Sequence, residues 1–419
     1  MKLKLICTVA ALAILAPAAA MAADTIKIGL MAPQEGVFTE PGNDGIRGFK
    51  LALNKYNGEI NGKKIEWVLG PTDATPDTAS RIARKLIEQD KVDFIIGPLS
   101  GSEGIALRDY AKTIPEKTII NSASGALETT YVDPAPNFFR FHPDGAQWGY
   151  GLGSYVVNEK GWKRVATIAA DYSFGYTNFM GFAVDFCKAG GEIVEKFWLP
   201  LGSGDFASII AALPDDVDAI YLGVGGTDAI NFLNQYEQAG GDTNIIGGTI
   251  MVDQTVLTAR GRAKEMLVGT PSSGPQADDW EDAGWQAYVK DYQETFPENE
   301  RFPSPSLFAT NYYGATLAAM MALDKIGGEF DEGQKNFHAA LAGLEFDTPN
   351  GHIKLDDNRQ AIGSIFITEV VEEADGGLHN TFKAKVDDVN QTLGMSKEEF
   401  DKIGLPSRDT PDCAALQPG

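Results

Sequence analysis

The chain has 419 residues, with 58 Asp and Glu against 35 Lys and Arg and a formal net charge of −23. Such acidity excludes a nucleic-acid backbone or an anionic membrane surface as the partner. The length exceeds what one hydrophobic core organises, so two domains are expected.

The basic start Met1-Lys2-Leu3-Lys4, the apolar run Leu5 to Ala16 and the small residues Ala20-Met21-Ala22 read as a signal peptide over 1–22, cleaved before Ala23. The run is too short for a stable membrane span, and Cys7 stands in no lipobox, so no lipid anchor is expected. The mature chain is expected in the periplasm. Cys187 and Cys413 remain after cleavage, as either one disulfide or two free thiols. The histidines 142, 338, 352 and 379 show no metal-ligand spacing, so neither a metal nor a cofactor is expected.

From Thr25, β-branched apolar runs alternate with segments of helical period. Strands are predicted at 26–31, 65–69, 92–96 and 118–120, with helices at 45–56, 75–88 and 102–112. A connection over 138–144 and a helix over 147–159 lead into a second alternation. Its strands are predicted at 165–169, 193–197, 219–222 and 244–246, and its helices at 174–188, 206–213 and 228–239. Beyond Pro271 the pattern turns helical, at 281–296, 306–325 and 334–341, before strands at 352–355 and 365–371. A polar tail follows from residue 395. The fold class is therefore α/β, with two lobes. Ligands of open α/β sheets bind outside the carboxyl ends of the strands, which places a cleft between the lobes.

Two loops at such ends are rich in small hydroxyl residues: Gly97 to Ser102 and Asn121 to Gly125. Each precedes a helix, where backbone N–H groups and serine hydroxyls suit a carboxylate; simple helix capping is the competing explanation. No G-x-S-x-G elbow, Walker sequence or paired nucleophile and base is present, and Gly223-Val224-Gly225-Gly226 departs from the dinucleotide fingerprint. No enzymatic activity is expected.

Together, Ile26 to Gly29, the helix Gly48 to Asn57, Ile95 to Pro98, Asn121 to Ser124, Phe139-Arg140 with Asp144 and Gln147, and Asp171 to Gly175 resemble the type I solute-binding proteins of ABC importers, in the branched-chain amino acid branch. The resemblance implies two Rossmann-like lobes joined by a three-crossover hinge, closing on a small solute delivered to membrane permease subunits. It divides the chain into lobe 1 (23–143 and 272–348), lobe 2 (144–271 and 349–394) and a tail (395–419), working as a monomer. It places the carboxylate at Gly101, Ser122 and Ser124, with Ser100 or Ser102 compensating for Gly101, where many relatives have a hydroxyl residue. Phe38, Gln147 and Tyr172 complete the expected site. The positions that clamp an ammonium in amino-acid-binding relatives fall here on Gly225 and Thr249. Loss of that clamp and of side-chain bulk at Gly225, with Phe38, Trp148, Tyr150, Tyr172 and Phe174 near the cleft, makes room for a flat apolar body and favours an aromatic or other organic acid. An amino acid or amide stays open, with Asp253 or Asp171 supplying the charge, as does a ligand-sensing module of a receptor.

Overall fold

A computed structural model describes residues 25–261 and 263–416; the proposed signal peptide lies outside them. The first sheet contains β1 (Ile26–Pro33), β2 (Glu59–Ile60), β3 (Lys63–Thr72), β4 (Phe94–Ile96), β5 (Thr118–Asn121) and β6 (Phe138–Arg140). Their order is β2-β3-β1-β4-β5-β6, parallel except for the β2–β3 hairpin. The second sheet contains β7 (Arg164–Ala170), β8 (Glu192–Leu199), β9 (Ala219–Gly223), β10 (Asn244–Gly247), β11 (Pro271–Gly274), β12 (Glu345–Thr348), β13 (Gly351–Leu355), β14 (Ala361–Glu372) and β15 (Leu378–Val389). Here β8, β7, β9, β10 and β11 run parallel, whereas β14 lies antiparallel to β11 and carries β15 on its other side. Helices on both faces bury the short apolar strands; Ile95, Ile96, Ile119 and Ile120 are fully buried.

The chain passes between the lobes after β6, after β11, and again through the β12–β13 hairpin into β14. In the intervening stretch, helices Ala283–Thr295 and Leu307–Lys325 pack against Thr39–Asn54 of the first lobe. At the first crossing, Arg140 is fully buried. Its guanidinium donates to the carbonyls of Ser124 (3.1 Å) and Ala126 (2.7 Å), to Thr130 Oγ1 (2.6 Å) and to Gln360 Oε1. Burial and the Arg140 charge hold neighbouring His142 down at about 3, so this imidazole stays neutral.

Several elements differ from the sequence expectation. The first helix begins at Thr39 rather than Gly45, because Pro41 falls in the first turn, where no intrahelical N–H is needed. The helix expected over 147–159 is broken at Gly151, whose φ is +88°. That over 206–213 shrinks to Ala207–Ile210. The connection at 138–144 contains β6, and β11, β12 and β15 were not anticipated. The sequence of β11 is Pro-Ser-Ser-Gly, without an apolar signature. Strand β15 pairs only with β14 and carries Lys383, Lys385, Asp387 and Asp388, the charged pattern of an edge.

The segment expected to be a plain polar tail is structured. Ser396 and Glu399 form a capping box at the start of helix Lys397–Ile403, whose Phe400 ring meets Tyr131 of the first lobe at 5.3 Å. Arg408 then pairs with Asp171 of the second lobe, and Cys413 is disulfide-bonded to Cys187 with a Cα–Cα distance of 5.3 Å.

Candidate functional site

The lobes meet at the carboxyl ends of their parallel strands around a small cavity. The first lobe contributes Phe38, the loop Leu99-Ser100-Gly101 after β4, Ala123 after β5, and Phe308. Across the cleft stand Trp148, Tyr172, Phe174 and Ile250. No lining residue bears a charge.

Polarity comes instead from helix ends. Ser100 caps helix Gly101–Ala111: its Oγ accepts from Glu103 N (3.3 Å) and donates to the Ala74 carbonyl (2.7 Å), while Glu103 Oε2 accepts from Ser100 N (2.8 Å). This hydroxyl is therefore spent on capping. Among the described residues, the N–H groups of Gly101 and Ser102 find no acceptor. Helix Ser173–Lys188 of the second lobe starts at the same place without a side-chain cap, and helix Gly226–Gln238 also lacks one. Helix N-termini from both lobes thus point partial positive charge into the closed cleft. Under the first of them, burial raises the Glu103 carboxyl to about 7.

The lobes are in contact across the cleft. Ser102 Oγ lies 3.2 Å from Ser173 Oγ, and the Thr227 N–H donates to the Val37 carbonyl at 3.3 Å. A Cβ on Gly101 would stand 2.7 Å from Ser173 Oγ and 2.9 Å from Phe174 N. The absence of a hydroxyl side chain at this position therefore has a steric reason.

Of the expected site residues, Phe38, Ser100, Gly101 and Tyr172 line the cavity, and Ser102 stands at the lobe contact. The others are elsewhere. Ser122 Oγ donates to the Pro98 carbonyl (3.0 Å), and Ser124 Oγ is buried beside Gly104 without a partner. Gln147 belongs to the crossing: its Nε2 donates to the carbonyls of Ala361 (3.0 Å) and Val389 (2.6 Å), and its Oε1 accepts from Asp144 N (2.7 Å). Thr249 is held by Asn178 through both its Oγ1 (3.0 Å) and its N–H (3.2 Å). Nor does Gly225 leave open space, because its missing Cβ would fall 2.5 Å from Ile250 Cδ1. Asp171 is occupied by Arg408, and Asp253 accepts from the N–H groups of Thr255 (3.0 Å) and Leu307 (2.9 Å). Tyr150 is absent from the wall, whereas Trp148 and Phe174 are on it. Leu99, Ala123, Ile250 and Phe308 were missed. The first two sit inside the two hydroxyl-rich loops and Ile250 follows Thr249, but Phe308 has no signal beyond its place at a helix start.

Two lobes of this topology, in contact around a small uncharged cavity, define a protein that encloses a small solute by closing upon it. The family model for periplasmic binding proteins matches residues 25–377, and the chain belongs to that family, as an ABC-transporter solute-binding protein. It is similar to a solute-binding protein of an ABC transporter from Rhodopseudomonas palustris BisB5, solved in complex with 3,4-dihydroxybenzoic acid. Identity there is 29% and the TM-score 0.79, covering 88% of this chain and 99% of that one. Two further relatives are Leu/Ile/Val-binding protein homolog 6 of Brucella melitensis biotype 1 (23% identical, covering 88% of this chain and 94% of the relative) and the leucine-, isoleucine-, valine-, threonine-, and alanine-binding protein of Pseudomonas aeruginosa (26%, covering 80% and 87%). Proteins of this class bind small molecules and pair with membrane permeases. Among the described residues, no helix is long and apolar enough to cross a membrane.

Proposed function

We propose that this chain works in the periplasm as a monomer that captures an aromatic carboxylate and presents it to the permease of an ABC importer. The observation that carries this reading is the pair of unpartnered N–H groups at Gly101 and Ser102 beside an aromatic cavity without charge. A carboxylate satisfies those donors, and a flat ring suits walls made by Phe38, Trp148, Tyr172 and Phe174. A zwitterionic amino acid would bring an ammonium to a wall with no carboxylate, since Asp228 is already taken by Gly202 N (2.6 Å) and Gly204 N (3.3 Å). The relative crystallised with dihydroxybenzoic acid supports the same ligand class. In this reading, the lobe built on the first sheet binds the acid first, and the lobe built on the second closes over it. Desolvated hydrogen bonds inside the shut cleft offset the cost of closure.

The test is a thermal-shift screen of protein refolded free of bound solute, against benzoate, hydroxybenzoates, short aliphatic acids and the branched-chain amino acids. A ligand that binds only the folded state raises Tm by mass action. Benzoate-type acids are expected to give the largest rise. Stabilisation by leucine, isoleucine or valine alone would reject the aromatic-acid assignment.

A further inference from the structure

A second, small cavity shares no lining residue with the first and lies beside the crossing that follows β11. Its polar wall includes Asp253, Gln254, Gln276, Asp278 and Asn380, without a lysine or arginine. Every side-chain amide nitrogen on that wall is engaged. Gln254 Nε2 donates to Asp278 Oδ2 (2.8 Å), Gln276 Nε2 to the Pro305 carbonyl (2.8 Å) and Asn380 Nδ2 to the Val252 carbonyl (2.7 Å).

The three amide oxygens, by contrast, are buried and have no hydrogen-bond partner. Gln254 is only 2% exposed, so its orphaned Oε1 has no bulk water to turn to. Asp278 Oδ2 already accepts two hydrogen bonds, from Gln254 Nε2 and from Asn380 N (2.9 Å). Burial also holds the carboxyls of Asp253 and Asp278 above their ordinary range. Each amide nitrogen spends one of its two N–H groups in these bonds while all three amide oxygens stay unmatched; the wall therefore offers a surplus of acceptors beside two carboxyls, and its complement is a cation rich in N–H donors.

We propose that this hinge cavity is a second binding site, for a small ammonium cation, either ammonium itself or a primary alkylammonium. A metal ion fits the wall less well, because among the described residues no three Asp, Glu, His or Cys side chains gather to hold one. Leu307, at the start of a first-lobe helix, donates its N–H to Asp253 Oδ2 at 2.9 Å, so the wall is assembled across the two lobes. An occupant therefore favours the closed arrangement.

The test measures Tm of the full mature chain against rising methylammonium chloride, with sodium, potassium and tetramethylammonium chlorides at equal ionic strength. A saturable rise with methylammonium, absent with the other three, is expected, and Asp278→Asn should weaken the half-saturating concentration at least tenfold. Gln254→Met keeps the side-chain length and removes the orphaned oxygen; it gives the same readout if Asp278→Asn does not fold. Equal shifts from all four salts, or saturation unchanged in both variants, would overturn the site. Tight saturation by potassium would overturn the ammonium assignment. None of these outcomes depends on which acid the main cleft takes.

Discussion

Gly226 stands where the second lobe meets the first, with φ +55° and a missing Cβ that would fall 2.2 Å from the Val37 carbonyl oxygen. Replacing it with alanine has two separable effects. The left-handed backbone costs a Cβ-bearing residue roughly 1–2 kcal/mol whether the cleft is open or shut, and this cost lowers Tm without ligand. The clash with Val37 exists only when the lobes meet. Relieving it needs about 1 Å of separation, which breaks the Thr227 N–H to Val37 bond and loosens the apolar contact around Phe38. A hydrogen bond of about 1 kcal/mol and a similar packing loss give about 2 kcal/mol, or roughly thirtyfold weaker binding. Isothermal titration with the acid that most raises Tm measures the second effect, and calorimetric unfolding of the empty protein the first. If Gly226→Ala binds that acid as tightly as the parent while Tm falls, the lobe contact is not part of the bound state and the closure argument fails.

Tyr172 lines the cavity and is only partly buried, so Tyr172→Ala should cost at least tenfold in affinity and leave the unliganded Tm almost unchanged; parallel losses would make it a core residue instead. Glu103, raised to about 7 by burial, gains its charge as pH rises through neutrality, directly beneath the Gly101 and Ser102 amides. Affinity for a carboxylate should therefore fall between about pH 6 and 8 and become flat in Glu103→Gln; a slope that survives the substitution assigns the titration to another group. Cutting the tie between Cys187 and Cys413, which are 226 residues apart, with Cys413→Ala should lower unfolding free energy by up to about 5 kcal/mol on the loop-entropy scale, read from urea titrations with and without reductant. An unchanged midpoint would show that the lobes alone set stability.

Most of the parallel strands and the helices after them were legible because those strands are short β-branched runs and the long helices keep their period, whereas β6 and β11, which lack such a run, were not. The hydroxyl-rich loops were legible for the same reason, since they occur where such runs stop. What those loops do was only half legible. The sequence cannot separate a serine that caps from one that binds, and the structure divides the work: Ser100 Oγ caps while the amides of Gly101 and Ser102 stay free. Gly225 was misleading in another way. Its lack of a side chain suggested room, but Ile250, distant in sequence, fills the space. Gln147 was misplaced because its partners, Gln360, Ala361 and Val389, come from the far end of the chain. The second cavity left no trace in the sequence, since Asp253, Gln276 and Asn380 converge only through the fold.

The C-terminal segment sets a mechanical limit on the cleft. Its helix is seated on Tyr131 of one lobe, and five peptide steps beyond Ile403 its Arg408 is held by Asp171 of the other. Those steps reach at most about 17 Å when fully extended. The aperture between these two anchor points is thus bounded by a leash rather than by the bending of the crossings alone. A wider opening requires either the helix to lift off Tyr131 or the Arg408 pair to break, and in the second case the disulfide at Cys413 holds the slack.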